Sequence, residues 1–359
     1  MAPVGDSRAP RRTGAAARLV LLGTGGGAYP KARRGGYANA VVVGDAVYVV
    51  DCGEGVHRQL WRAGLTVNEQ FAPDRPRVRA IFVTHLHADH IMDLANLAQG
   101  SWPAQLIDVY GPSPAGLPIP AFPSGADVDP VFADEPTPGL RGTLEHLWRA
   151  FAYNINLRIA DEGRANVADS LRVHEIGVRR QDYAPDIDLG VTGDGSSARS
   201  AAPDMDPVEI CPQDDHGVRV TATLVQHAPV FPALGFRVDT PHGSVAFSGD
   251  TGPCDNVVRL AEGADILVHE IIDVDRLAGR LSTLPNSAAV RNHLGAAHSS
   301  PEQVGDVATR AGVTTLVLSH LVPGDGDPSD EEWVARVRPH FAGEIVCAVD
   351  LDELALTRP

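Results

Sequence analysis

Four metal-capable side chains fall within six positions of Thr84-His85-Leu86-His87-Ala88-Asp89-His90, and few folds can use such a segment. It follows Arg79-Ala80-Ile81-Phe82-Val83, a short apolar, β-branched run that reads as a buried strand. Side chains alternate along an extended chain, so His85 and His87 project to the same side. Asp89 and His90 come as the chain turns into Ile91–Gln99, where Ile91, Leu94, Ala95 and Ala98 have helical spacing. The cluster therefore lies at a strand-to-helix junction, where three imidazoles and a carboxylate can converge on a metal.

Four later stretches repeat the same order, an apolar strand followed by a metal-capable residue. Val220–Val225 leads to His227, Val245–Gly249 to Asp250, Ile266–Val268 to His269 and Glu270, and Thr315–Ser319 to His320. Strands that carry such residues at the same ends place them along one edge of a sheet system. Asp51 also follows a strand, Ala46–Val50, and is either a turn or capping residue or a carboxylate orienting a metal-bound imidazole.

Leu19-Val20-Leu21-Leu22 followed by Gly23-Thr24-Gly25-Gly26-Gly27 nearly spells a dinucleotide fingerprint. Such a loop must open a helix. Pro30, Gly35 and Gly36 forbid one, and the next element is a hairpin turning at Gly44-Asp45. The loop can still bring backbone amides to an anion. Helices are expected over Val56–Ala63, over Leu140 to about Ile159, and from Pro301 to before Gly312 behind the capping box Ser300–Gln303. A second box, Ser329 with Glu332, starts another helix, and Glu344–Val349 reads as a last strand. Residues 1–18 read as a flexible N-terminal segment and 19–359 as a single domain, with 113–215 an insertion over the active site. Gly193–Ser197 reads as a mobile linker within it.

Composition narrows the functions. Forty-six acidic residues against 30 basic ones give a net charge of −16, and Lys31 is the only lysine. Such a surface repels polyanions, so a nucleic-acid partner is not expected. Cys52, Cys211, Cys254 and Cys347 show no paired spacing, no secretory signal opens the chain, and no apolar run nears the roughly 20 residues of a membrane span. A cytoplasmic protein without membrane contact is expected.

Taken in order, Leu22–Gly27, Asp51-Cys52-Gly53-Glu54-Gly55, Thr84–His90, His227, Ser248-Gly249-Asp250-Thr251, His298-Ser299-Ser300 and Ser319-His320 resemble the motifs of the metallo-β-lactamase superfamily. They are most similar to its branch of ribonuclease Z, related phosphodiesterases and arylsulfatase-like enzymes. The resemblance runs from about Leu19 to the C-terminus apart from the insertion. It implies an α/β fold, an αββα sandwich of two mixed sheets flanked by helices, around a dinuclear metal site with two zinc ions, manganese or iron being the alternatives. Residue by residue, it implies His85, His87 and His227 on the first metal, Asp89, His90 and His320 on the second, and Asp250 bridging them. Two dications roughly 3.5–4 Å apart need such a shared carboxylate and share a water, whose hydroxide attacks the ester. Asp89 is also taken as catalytic. His298 resembles a general acid or transition-state donor. His269 and Glu270 stand in the position of a family His-Glu-Ala-Thr motif, here His269-Glu270-Ile271-Ile272, and are expected behind the ligands. Cys254 and the remaining histidines, His293 among them, match no role.

Departures from the family shape the substrate expectation. Between Asp161 and Asp215 thirteen acidic residues face five arginines, the wrong sign for an arm that grips transfer RNA. Leu321-Val322-Pro323-Gly324 also differs from the Ser/Arg-bearing sequence of the tRNA enzymes, and Asp250 stands where many true β-lactamases use cysteine. The leading expectation is a metal-dependent hydrolase of a small anionic ester, a phosphodiester first and a sulfate ester second, with Arg33 and Arg34 as candidate anchors. A tRNA 3′-processing endonuclease, a lactonase and a non-enzymatic metal-binding module are the alternatives. The resemblance also implies a homodimer, since relatives are commonly dimers.

Overall fold

Apolar, β-branched runs supply most of the strands, and they assemble into two sheets in a computed structural model of the chain. The structure describes residues 8–101, 106–116, 129–192, 201–284 and 286–357. The first sheet takes β1 (Ala17–Gly23), β2 (Ala38–Val43), β3 (Ala46–Val50), β4 (Arg77–Phe82), β5 (Ile107–Pro112), β6 (Leu171–Gly177) and β7 (Ile187–Asp188). The second takes β8 (Val208–Cys211), β9 (Arg219–Leu224), β10 (Leu234–Thr240), β11 (Gly243–Phe247), β12 (Ile266–Ile272), β13 (Thr315–Val322) and β14 (Glu344–Cys347). The chain then returns to the first sheet as β15 (Asp352–Ala355), antiparallel beside β1. The spatial orders are β15-β1-β2-β3-β4-β5-β6-β7 and β14-β13-β12-β11-β10-β9-β8.

Pairing sets the direction of each strand. In the first sheet β3 to β7 pair in parallel, and β1 runs the same way through two antiparallel steps. In the second sheet β11 to β14 pair in parallel, and β9 runs with them through β10. The carboxyl ends of β1, β3 and β4 thus share one edge, as do those of β9, β11, β12 and β13.

Three apolar layers hold the sheets. Leu21, Val41, Phe82, Phe236, Phe247 and Val317 meet between them. Outside the first sheet, Leu22, Val49 and Ile81 pack on α1 (Val56–Arg62), α3 (Leu94–Ser101) and α4 (Leu140–Ala150). Outside the second, Leu267, Leu316 and Leu318 pack on α6 (Asp255–Leu260), α9 (Pro301–Ala311) and α10 (Asp330–Val337). Strands covered by neighbouring layers on both faces are buried on both, as β2, β3 and β12 are throughout. The αββα sandwich of two mixed sheets is thereby established, and no helix among the described residues is long and apolar enough to cross a membrane.

Local expectations fare unevenly. Both capping boxes form, Ser300 with Gln303 and Ser329 with Glu332. The pattern from Leu140 divides at Phe151 into α4 and α5 (Ala152–Glu162), and the run after His90 divides into α2 (Ala88–Ile91) and α3. Residues 113–215, expected over the active site, also contribute β6 and β7 to the first sheet and β8 to the second. Residues 193–200, with the whole of the expected linker, lie outside the described residues. At the N-terminus, Arg8 donates to both carboxylate oxygens of Asp352, and the backbone N–H of Arg11 donates to the same group at 2.7 Å.

Candidate metal centre

The strand ends meet at one place. After β4 the chain stays buried through Val83 and Thr84, then presents His85 and His87 before α2 opens. His87 keeps extended backbone angles, while Asp89 and His90 ride the first turn. From the second sheet come His227 after β9, Asp250 after β11 and His320 within β13. Asp51 and His320 both adopt left-handed backbone, φ 63° and 47°. That conformation is costly for residues other than glycine and persists where the surroundings over-determine it.

Two clusters result. One ligand atom each from His85, His87, His227 and Asp250 lie within 4.8 Å of one another, and so do atoms from Asp89, His90 and His320. His87 Nδ1 is 3.0 Å from His85 Nε2 and 3.3 Å from His227 Nε2. His320 Nε2 is 3.2 Å from Asp89 Oδ2. Asp250 stands between the clusters, with Oδ2 3.9 Å from His85 Nε2 and 3.3 Å from His320 Nε2, and Oδ1 3.4 Å from His90 Nε2. All seven residues named for metal from the sequence are thus brought together.

Neighbours fix the orientation of several of these rings. His90 Nδ1 donates to Asp51 at 2.9 Å, and His227 Nδ1 donates to the Ala297 carbonyl at 2.9 Å. Each such bond turns the other ring nitrogen toward the centre. Gly27 N–H donates to Asp89 at 2.7 Å, so the glycine loop serves the site by holding a carboxylate. Tyr37, fully buried, lies 5.3 Å from both the His90 and His320 rings, centroid to centroid. A lone tyrosine after two glycines carries no signal of that role in the sequence.

The donor atoms fit ions. His90 Nε2, Asp250 Oδ1 and His320 Nδ1 are buried without a hydrogen-bond partner. Since His90 carries its proton on Nδ1 toward Asp51, a lone pair on Nε2 would face the Asp250 carboxylate, an arrangement that a cation between them relieves. Burial holds His85 and His227 well below their ordinary values, and burial also lowers His87, leaving imidazole lone pairs available. Burial alone would raise Asp250, but His320 and His90 outweigh it and hold the carboxylate well below its usual range. At His90 burial is outweighed by Asp250 and Asp51, which push the ring up and so favour a positive charge, a proton or a metal ion, beside Nε2.

Behind the clusters, His298 Nδ1 donates to Glu270 Oε1 at 3.0 Å. The same oxygen accepts from the backbone N–H groups of Thr251 (3.0 Å) and Ser299 (3.2 Å). Burial opposes the charge on His298, but Glu270, with Asp250 and Asp89 behind it, raises the ring to about 9. His269 is buried outside both clusters and donates to the Glu270 carbonyl at 2.7 Å. Arg34, a candidate anchor, is turned inward to Asp330 at 2.8 Å and to Thr24 Oγ1 at 2.8 Å, so it ties the loop to α10.

Comparison with known proteins agrees with this arrangement. A family model described as the metallo-beta-lactamase superfamily matches residues 33–320. A ribonuclease Z of Mycobacterium bovis is 31% identical over 333 residues, 93% of this chain and 96% of the relative. A ribonuclease Z of Mycolicibacterium gilvum is 31% identical, covering 93% of this chain and 94% of its own length. Among solved structures, the short form of human tRNase Z superposes with a TM-score of 0.57 at 22% identity, over 95% of this chain and all of that one. The metallo-beta-lactamase fold protein YhfI of Bacillus subtilis gives 0.55 at 16% identity, over 94% and 99%. With the fold, the paired His/Asp clusters and relatives along nearly its whole length, the chain belongs to the metallo-beta-lactamase superfamily, in the ribonuclease Z branch, and is a metal-dependent hydrolase.

Proposed function

We propose that the protein is a zinc-dependent phosphodiesterase that cuts RNA, with the 3′ end of a precursor transfer RNA as its substrate. One observation carries this reading, the 31% identity to a ribonuclease Z over 93% of the chain. His85, His87 and His227 would hold one ion, Asp89, His90 and His320 the other, and Asp250 both. Imidazole and carboxylate donors without thiolate suit zinc. Bound there, two such ions would activate water and neutralise charge on the phosphoryl oxygens.

The chain's own groups account for the protons. Hydrolysis forms one P–O bond from water and breaks one ester P–O bond, so one proton must be accepted and one supplied. Asp89, whose Oδ2 lies 3.2 Å from His320 Nε2 and beside the cavity at the glycine loop, is the carboxylate placed to accept the first. His298 keeps Nδ1–H on Glu270, which leaves Nε2–H to protonate the departing oxygen.

Contacts in three dimensions weaken the charge argument against RNA. Of the acidic residues of 161–215, Glu175, Asp188 and Glu209 lie on strands of the two sheets, and several are paired. Asp186 meets Arg141 at 2.8 Å, Asp188 meets Arg179 at 2.9 Å, and Asp214 accepts from Tyr48. Counting charge along a segment therefore mislocated it. The net charge of −16 still favours a second reading, hydrolysis of a small phosphate or sulfate ester.

Zinc-loaded protein given precursor tRNA and bis(p-nitrophenyl) phosphate separates the two. Release of the 3′ trailer, with slower cleavage of the simple diester, is expected. Intact RNA beside rapid turnover of the small ester would replace this reading with the second.

A further inference from the structure

The cleft has two unlike walls. On the side of Asp89 and His320 it is bounded by the glycine loop, where a cavity of about 370 Å³ is lined by Tyr29, Lys31, Asp89 and Met92. On the side of His87 and His227 the wall is α8 (Ser287–Ala297), which follows α7 (Val274–Leu281) and ends at His298. The last carbonyl of α8, that of Ala297, holds His227. Its neighbour, the Ala296 carbonyl, leaves no room for a side chain at Gly252, so the helix end is seated tightly against the strand-end loops.

One residue of α8 reaches the centre. His293 is half-buried, and its ring centroid lies 6.3 Å from that of His227 and 6.2 Å from that of His298. It belongs to neither ligand cluster. The ring therefore stands one van der Waals layer from both a metal-side imidazole and the proton donor, on the wall facing away from the glycine loop.

The geometry points to His293 as the residue that receives the leaving substituent of the ester. This rests on the phosphodiesterase reading. His298 can protonate only the departing oxygen, so whatever that oxygen carries must lie beside His298, and α8 is the wall there. The other ester arm then extends toward the glycine loop. An imidazole suits the task for either a sugar or an aryl group, since it offers a hydrogen bond at its edge and a flat face for stacking.

Two diesters sharing p-nitrophenolate as the leaving group test the assignment, bis(p-nitrophenyl) phosphate and methyl p-nitrophenyl phosphate, with the zinc-loaded full chain. His293→Ala should raise KM about tenfold for both, the size of one lost hydrogen bond or stacking contact, with kcat within about twofold. His293→Gln, which keeps an N–H, should recover most of the loss. Zinc per chain and Tm should match the unmodified protein. Unchanged KM, or a rise confined to the bis ester, would overturn the assignment. So would zinc loss in both variants, which would make His293 a support of the ion site. An unmodified chain that cuts neither diester would overturn the phosphodiesterase reading itself.

Discussion

Asp51 and His90, 39 positions apart, meet at 2.9 Å with neither side chain exposed to solvent. The Asp51 carboxylate also accepts from Thr84 N–H and Thr84 Oγ1, each at 2.8 Å. One carboxylate thus fixes the backbone immediately before His85 and the ring of His90. Of the two roles open in the sequence, orienting an imidazole is the one the contacts support.

Asp51→Ala should strand these donors in the interior. Each buried unsatisfied donor costs about 1–3 kcal/mol, so Tm should fall by many degrees. Ion binding should weaken by roughly 10–100-fold, because a ligating ring would lose the bond that aims it. Thermal unfolding with a zinc titration checks both, and unchanged zinc affinity would show that Asp51 serves the fold alone.

Asp250 tests whether the two clusters form one unit. Removing its carboxylate as Asp250→Ala leaves His85, His90 and His320 without the anion they share. Zinc content should drop from near two per chain, and turnover should fall by at least about a thousandfold, or ~4 kcal/mol in the barrier. Chelation should silence the unmodified enzyme, and added zinc should restore it but not the variant. Near-normal rates in Asp250→Ala would contradict the bridging role.

The Glu270–His298 pair predicts a pH effect with a definite sign. A proton donor works only while protonated, which is below its pKa. Glu270 raises His298 to about 9, so activity should persist above neutrality and decline as pH rises through the donor's pKa. Glu270→Gln keeps an oxygen for Thr251 N–H and Ser299 N–H but removes the charge. The alkaline limb of kcat should then move to lower pH, with zinc content unchanged. A limb that stays in place would detach His298 from proton transfer.

Much of the site was legible because its signals are local. Period-two spacing placed His85 with His87, and a strand followed by a His or Asp marked His227, Asp250 and His320. What stayed hidden depends on which strands become neighbours. Nothing near Tyr37 announces that its ring will pack against His90 and His320, and nothing near His293 announces the two imidazoles beside it. β15 escaped notice because Asp352-Glu353-Leu354-Ala355 is short and half acidic, and it becomes a strand through its register with Arg18–Leu21. The ion pairs of the acidic segment were hidden for the same reason, since its partners Arg141 and Arg259 lie elsewhere in the chain.

Gly53 offers a way to disturb one cluster and spare the other. Its N–H donates to the Tyr37 carbonyl at 3.0 Å, and the next-door Cys52 N–H donates to the His90 carbonyl at 2.6 Å. A Cβ at Gly53 would press on the Asp89 carbonyl, the Gly36 backbone and Tyr37 N. All three are main chain and cannot swing aside, so Gly53→Ala must push the start of α2 outward. That displacement moves Asp89 and His90 most, whereas His85 and His227 follow β4 and β9 and should stay, with His87 at the junction between them. Zinc titration of Gly53→Ala should therefore show one tight site close to that of the unmodified protein and a second weakened by about tenfold or more. Equal weakening of both sites would mean that the clusters move together, and the division into two separately supported halves would have to be given up.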